Sequence, residues 1–144
     1  MVMQTVLKEK LQAYITVNNP EVLNELQAGL SVSAYLEDKV SAVMPLVLHL
    51  LEEGKPSYII EELALKEMTA SLRPSKFNYI KELLESDFLD SYQAFSTAGV
   101  LTYECINLIE ACKDIFETFS FSEDNEDDRF LKYAVIAKIH EYLN

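Results

Sequence analysis

Residues 32–53 read VSAYLEDKVSAVMPLVLHLLEE, and this stretch is the most informative about the fold. Its apolar side chains recur every three to four residues over about five turns, which is typical of a helix with a buried stripe. From Val43 onward, Leu46 and Leu50 fill the remaining faces, and a helix that is apolar all round is buried on every side. The pattern therefore predicts a buried central helix, about Val32–Glu53, that the other helices surround.

Pro45 lies inside this helical stretch. A proline ring removes the hydrogen bond to the carbonyl of Ser41 and clashes with that carbonyl, so a kink near Pro45 is expected. Two helices that meet at Met44 are the alternative, and the sequence alone leaves it open.

The same periodicity recurs along the rest of the chain, between breaks rich in Pro, Gly, Ser and Asn. Seven further helical segments are predicted over residues 3–17, 20–30, 57–70, 76–86, 87–96, 100–119 and 128–143. Asn19 and Ser75 are suited to N-cap positions, and Gly54 suits the left-handed position after a helix. The prediction is an all-α fold, an irregular bundle of six to eight helices, in a single domain spanning residues 1–144.

Composition supports this fold class and excludes several functions. The chain has 144 residues, 49 % of them apolar, which is too apolar for a disordered chain and suits one domain. With only three Gly and four Pro, it lacks the regularly spaced turn residues of an all-β domain. The net charge of −12 argues against direct binding of nucleic acid, which requires Lys and Arg, and against docking on anionic membranes.

The chain is predicted to be cytoplasmic. No basic region followed by an apolar block opens the sequence, and the longest nearly apolar run, residues 40–51, is about half the roughly 20 residues that a membrane span requires. Cys105 and Cys112 lie seven positions apart on one predicted helix, too far apart for a disulfide. Both are expected to be inert thiols of the core, since little nearby would lower their pKa.

An acidic loop is the first place to look for a functional surface. It carries five acids in six residues: Glu123, Asp124, Glu126, Asp127 and Asp128. Calcium binding is not supported, because an EF-hand counted from Asp124 would need Gly where Arg129 stands and Glu where Val135 stands. Two interpretations remain. The segment is either an interaction loop or a solvated loop whose last two acids stabilise the N-terminus of the final helix.

Other chemistry-bearing residues form no recognisable catalytic or metal-binding pattern. His49 lies in the apolar run and is expected to be a hydrogen-bonded residue in or near the core, whereas His140 is suited to the negative end of the last helix. The paired acids at residues 52–53 and 61–62 are expected to be solvated. No Gly-rich phosphate loop, nucleophile elbow or zinc spacing is present, so no catalytic residue, cofactor or metal is predicted.

The order of several short motifs resembles a known bacterial family. Asn19-Pro20-Glu21 is followed by Gly54-Lys55-Pro56, then by Glu61-Glu62-Leu63-Ala64, Ser71-Leu72 and Ser75-Lys76-Phe77. Over about residues 7–88 this order is similar to a domain-of-unknown-function family, number eighteen ninety-six, of short, acidic, helical proteins. The resemblance implies an all-helical fold and carries over no activity and no functional residue.

Three classes of function follow from these observations. The first is a non-enzymatic interaction or regulatory protein of the bacterial cytoplasm. Its partner is another protein or a second copy of the chain in a homodimer. This class is favoured by the absence of a catalytic pattern and by eight Tyr and seven Phe, residues that are enriched at interfaces. The second is an acidic mimic of nucleic acid that inhibits a basic protein. The third is an enzyme with an unrecognised site.

Overall fold

The computed structural model of the chain describes residues 2–29 and 31–144, and these contain α-helices and one short 3-10 turn, Ala70–Leu72. Within these two ranges there is no strand, so the all-α prediction is confirmed. The predicted end of the second helix at Leu30 lies outside the described residues. The helices are α1 (Val2–Asn18), α2 (Pro20–Ala28), α3 (Val32–Glu52), α4 (Ser57–Met68), α5 (Lys76–Asp87), α6 (Leu89–Ala98), α7 (Leu101–Ala111), α8 (Lys113–Thr118) and α9 (Arg129–Leu143).

The described residues hold nine α-helices, so the predicted count of six to eight was wrong. The extra helix arises because the segment predicted over residues 100–119 is interrupted at Cys112. There the backbone leaves helical geometry, with φ −95° and ψ 7°. The Cys112 amide still donates to the Leu108 carbonyl, and its own carbonyl accepts from Phe116, so the joint costs little hydrogen bonding. No Gly or Pro stands there to signal it.

Helix ends follow the expected chemistry at most joints. Gly54 and Gly99 adopt left-handed backbone, with φ of 77° and 75°, immediately after α3 and α6. Ser75 and Asp128 cap α5 and α9 through their side chains. Asn19 occupies the N-cap position of α2, as predicted, but its side chain does not cap the helix. This buried side chain donates to the Leu72 carbonyl at 3.3 Å instead.

The chain divides into two compact units, Met1–Leu72 and Arg73–Asn144. Unit one contains α1 to α4, and α3 packs against α1, α2 and α4. Its core comprises Leu7, Leu11, Ile15, Leu36, Val40, Val43, Val47, Leu50, Ile60, Ala64 and Met68. Unit two contains α5 to α9, with a core of Phe77, Ile80, Leu83, Leu84, Cys105, Leu108, Ile109, Cys112, Phe116, Leu131, Val135 and Ile139. The prediction of one domain over residues 1–144 stays a prediction.

Helix α3 is buried along one face and exposed along another. Its buried residues recur at helical spacing, but Leu48 and Leu51 on the other side are 50 % and 44 % exposed. Burial on every side was therefore wrong, because the partners of α3 cover a single stripe, and the central position of this helix is not confirmed. The helix continues through Pro45, which removes the alternative of two helices meeting at Met44, and the kink stays a prediction.

None of the helices formed by residues 2–29 and 31–144 combines the length and apolar character that crossing a bilayer requires.

Candidate functional site

The acidic loop of unit two is held in shape by Asn125. The side-chain oxygen of Asn125 accepts from the Ser122 amide at 2.8 Å, and its amide nitrogen donates to the carbonyls of Phe119 and Ser120 at 2.6 and 3.3 Å. The chain turns sharply at Ser120, which has a positive φ of 51°. One side chain thus ties both ends of the turn together, so the acids that follow it are presented on an ordered segment.

The structure separates the five predicted acids into two sets. Glu123 lies 3.7 Å from Arg73, and Asp124 is exposed. In contrast, Glu126, Asp127 and Asp128 line a groove between this loop and α5. The Oδ2 atom of Asp128 also accepts from the Leu131 amide at 2.9 Å, so the capping role predicted for this end of the loop is confirmed at Asp128.

Helix α5 forms the opposite wall of the groove. The helix begins after Ser75, whose hydroxyl accepts from the Asn78 amide at 3.0 Å. Ser75, Asn78, Glu82 and Ser86 then recur at spacings of three and four, which places these polar side chains on one face. The other face carries Phe77, Ile80, Leu83 and Leu84 among the buried residues of unit two. The amphipathic pattern of α5 therefore directs a polar stripe toward the acidic loop.

The groove has a volume of about 590 Å³ and lies entirely within unit two. Its lining mixes aromatic, hydroxyl, amide and carboxylate groups, with four acids against a single lysine. The lining residues are Pro74, Ser75, Asn78, Tyr79, Glu82, Leu83, Ser86, Phe121, Glu126, Asp127, Asp128 and Lys132. The volume falls within the range of sites that bind small molecules.

Two aromatic residues of the lining belong to a packed cluster. The Tyr79 ring lies 5.1 Å from that of Phe121 and 5.9 Å from that of Phe116, both in edge-on geometry. Phe116 and Phe121 lie 4.9 Å apart in turn. Offset and edge-on pairs at these distances add to the stability gained from burial alone. The aromatic part of the groove is therefore a rigid extension of the core.

Tyr79 is the most perturbed polar group of the groove. Burial raises the pKa of its hydroxyl to about 12, and the negative charges of Asp128 and Asp127, with that of Cys112 once its thiol ionises, add to that increase. The hydroxyl oxygen is buried and makes no hydrogen bond with residues 2–29 or 31–144. At neutral pH the side chain is thus an uncharged phenol that retains both a donor and an acceptor.

The other groups singled out in the sequence lie elsewhere. His49 is largely exposed, with Nε2 3.3 Å from Glu53 Oε1, so its predicted position in or near the core was wrong. It falls on the face of α3 that carries Leu48. Cys105 and Cys112 are free and fully buried, and burial raises the pKa of each thiol to about 11. These thiols are protonated at neutral pH, as expected for inert core residues.

Comparisons of the chain with protein-family models, with curated proteins and with solved structures found no match. The resemblance to the bacterial family of unknown function stays a prediction.

Half of the groove was not anticipated from the sequence. The acidic loop was predicted as a candidate surface, but the α5 wall and Tyr79 were not. The spacing of Ser75, Asn78, Glu82 and Ser86 is a signal that was present, since a polar stripe at helical period marks an exposed face. The spacing does not show which segment of the chain lies opposite this polar stripe. The loop begins thirty-seven positions after the last residue of the stripe, Ser86.

Proposed function

We propose that this chain is a non-enzymatic interaction protein of the cytoplasm, which binds a basic segment of a partner protein in the groove of unit two. The observation that supports the proposal is the lining of the groove: four acids, one lysine and two packed aromatic rings around about 590 Å³. Carboxylates attract cationic side chains, and aromatic faces bind them as well. A basic peptide is the ligand that satisfies both features.

The electrostatics of the groove favour rapid and selective binding. A concave surface lined by one sign of charge concentrates ligands of the opposite sign and accelerates their association. The acids that line the groove come from both walls, with Glu82 on α5 and Glu126, Asp127 and Asp128 on the loop. A cationic side chain in the groove therefore meets carboxylates on two sides, which a flat acidic surface would not provide.

The groove is also organised before a ligand arrives. Asn125 fixes the loop, and Asp128 caps α9 through one carboxylate oxygen. A preformed site avoids the entropic cost of ordering a loop on binding. The buried free thiols of unit two are consistent with a reducing compartment, which supports the cytoplasmic part of the proposal.

The alternative of a nucleic-acid mimic makes a different demand on the same charges. A mimic uses acids spread over a large surface, whereas the groove proposal assigns binding to a few of them. Unit one and unit two carry net charges of −5 and −7, so acids are abundant outside the groove. Neutralising acids within and outside the groove therefore distinguishes the two functions.

The experiment measures fluorescence anisotropy of a labelled hexa-arginine peptide with three proteins. These are the wild type, a groove variant Glu126→Gln with Asp127→Asn, and a matched control Asp38→Asn with Glu62→Gln. The control acids are exposed in unit one, and both variants have the same net charge. Asp128 is left unchanged because it caps α9.

The groove variant is expected to bind about tenfold more weakly, a loss of about 1.4 kcal/mol from two partly exposed charge contacts, with the control within about twofold of wild type. Equal losses in the two variants would contradict the groove proposal and favour binding through the overall charge.

A further inference from the structure

The hydroxyl of Tyr79 is a buried polar group without a partner among the residues that the structure describes. Its oxygen lies at the edge of the core of unit two, and Asp127 and Asp128 are close enough to raise the pKa of the group. A buried polar atom without a partner lowers the free energy of unfolding, because the water it gave up is not replaced. Phenylalanine would fill the same space without that cost.

The position of Tyr79 in the groove indicates that its hydroxyl is a ligand-binding group. Tyr79 lines the groove, and its ring is fixed by edge-on packing against Phe116 and Phe121. Groups that weaken a fold and line a cleft are typical of binding sites, where a ligand makes the missing contact. The surrounding acids restrict that ligand to a group that donates hydrogen bonds and carries positive charge.

We infer that Tyr79 is the specificity-determining residue of the groove, and that its hydroxyl oxygen accepts a hydrogen bond from the guanidinium group of an arginine side chain in the partner segment. This inference rests on the function proposed above. It assigns the site one cationic side chain rather than basic character in general.

Guanidinium fits the lining better than ammonium. It presents five donors in one plane and stacks on aromatic faces, whereas ammonium presents three donors around a point charge. The groove offers the phenol oxygen of Tyr79, carboxylates on two walls and the aromatic ring of Phe121. A planar group can donate to the phenol and to a carboxylate at the same time while one face contacts a ring.

The Tyr79 oxygen is covered in this structure, so a ligand reaches it only after neighbouring atoms move. Glu82, Asp127 and Lys132 line the groove and are exposed. Exposed side chains exchange rotamers within nanoseconds, and their movement requires no change in the backbone. The approach of a cation would draw the two carboxylates toward it and repel Lys132.

The test compares hexa-arginine with hexa-lysine, two peptides of equal charge, on the full chain and on Tyr79→Phe. Wild type is expected to bind hexa-arginine about tenfold more tightly, the value of roughly one charge-assisted hydrogen bond. Tyr79→Phe is expected to bind the two peptides within about twofold of each other, with hexa-lysine binding unchanged. Its melting temperature is expected to rise. Tyr133→Phe, which alters an exposed tyrosine on α9 outside the groove, is the control and should change neither quantity.

A second readout does not depend on affinity. Unlabelled hexa-arginine does not absorb where tyrosine does, so a difference spectrum of wild type on binding reports a tyrosine whose surroundings change. This spectrum is expected in wild type and Tyr133→Phe and absent in Tyr79→Phe.

The outcomes separate the inference from the proposed function. If wild type binds both peptides equally, or if Tyr79→Phe retains the preference for arginine, the inference is overturned while the groove remains a site for basic segments. If wild type binds neither peptide, the proposed function fails and the inference fails with it.

Discussion

Asn125 is the residue that fixes the shape of the acidic loop. Its side chain supplies one acceptor and one donor group to three backbone partners. Asn125→Ala is therefore expected to lower the free energy of unfolding by about 1–2 kcal/mol and to weaken binding of the hexa-arginine peptide. Urea denaturation and anisotropy measure the two effects. Asn24→Ala, at an exposed position of α2, is the control and should stay within about 0.5 kcal/mol of wild type. An unchanged Asn125→Ala would show that the loop does not depend on this side chain.

Two buried thiols and one buried phenol hydroxyl make the free energy of unfolding sensitive to alkaline pH. Burial raises the pKa of Cys105 and of Cys112 to about 11, and burial with nearby negative charge raises that of Tyr79 to about 12. Between about pH 9 and 11 the unfolded chain loses thiol protons that the folded chain keeps. In this range the folded state holds more protons than the unfolded state. The free energy of unfolding is therefore expected to fall as pH rises.

Urea denaturation at pH 8, 9, 10 and 11 measures this fall. Cys112→Ala is expected to be less stable at pH 8, because it leaves a cavity, but to lose less stability with rising pH than wild type. Equal slopes in the two proteins would contradict the assignment of the pH dependence to buried thiols.

At the scale of helices, the groove is framed by two N-caps. Ser75 begins α5 on one wall, and Asp128 begins α9 where the acidic loop ends. Asp128→Ala is expected to cost about 1 kcal/mol of stability through the loss of the bond to the Leu131 amide. Asp128→Ser restores a capping oxygen without the charge and should recover most of that loss. If the serine variant is as unstable as the alanine variant, Asp128 acts through its charge and not through the cap.

Most helices were predictable because their signals are local. Periodic apolar residues locate them, and Gly54, Ser75 and Asp128 mark ends that the structure also has. The break at Cys112 was not predictable, because no helix breaker accompanies it. The missing side-chain cap at Asn19 was not predictable for a similar reason. Its side chain donates to Leu72, a partner fifty-three positions away.

At the scale of the molecule, sequence patterns show which faces are apolar but not which faces meet. The run over residues 40–51 predicted burial on all sides of α3, yet the helix exposes Leu48 and Leu51. The two cores, one in each compact unit, come from contacts between helices, which include non-consecutive pairs such as α1 with α4 and α5 with α7. The groove depends on such contacts as well, which explains why only its acidic loop was foreseen.

The groove of unit two is proposed to bind basic segments. An NMR titration of the isotope-labelled full chain with hexa-arginine tests this proposal most directly. Amide shifts are predicted to be confined to residues 74–86 and 121–132 and to decrease as salt screens the charges. Shifts spread over the acids of both units, or no shifts at all, would contradict the proposal.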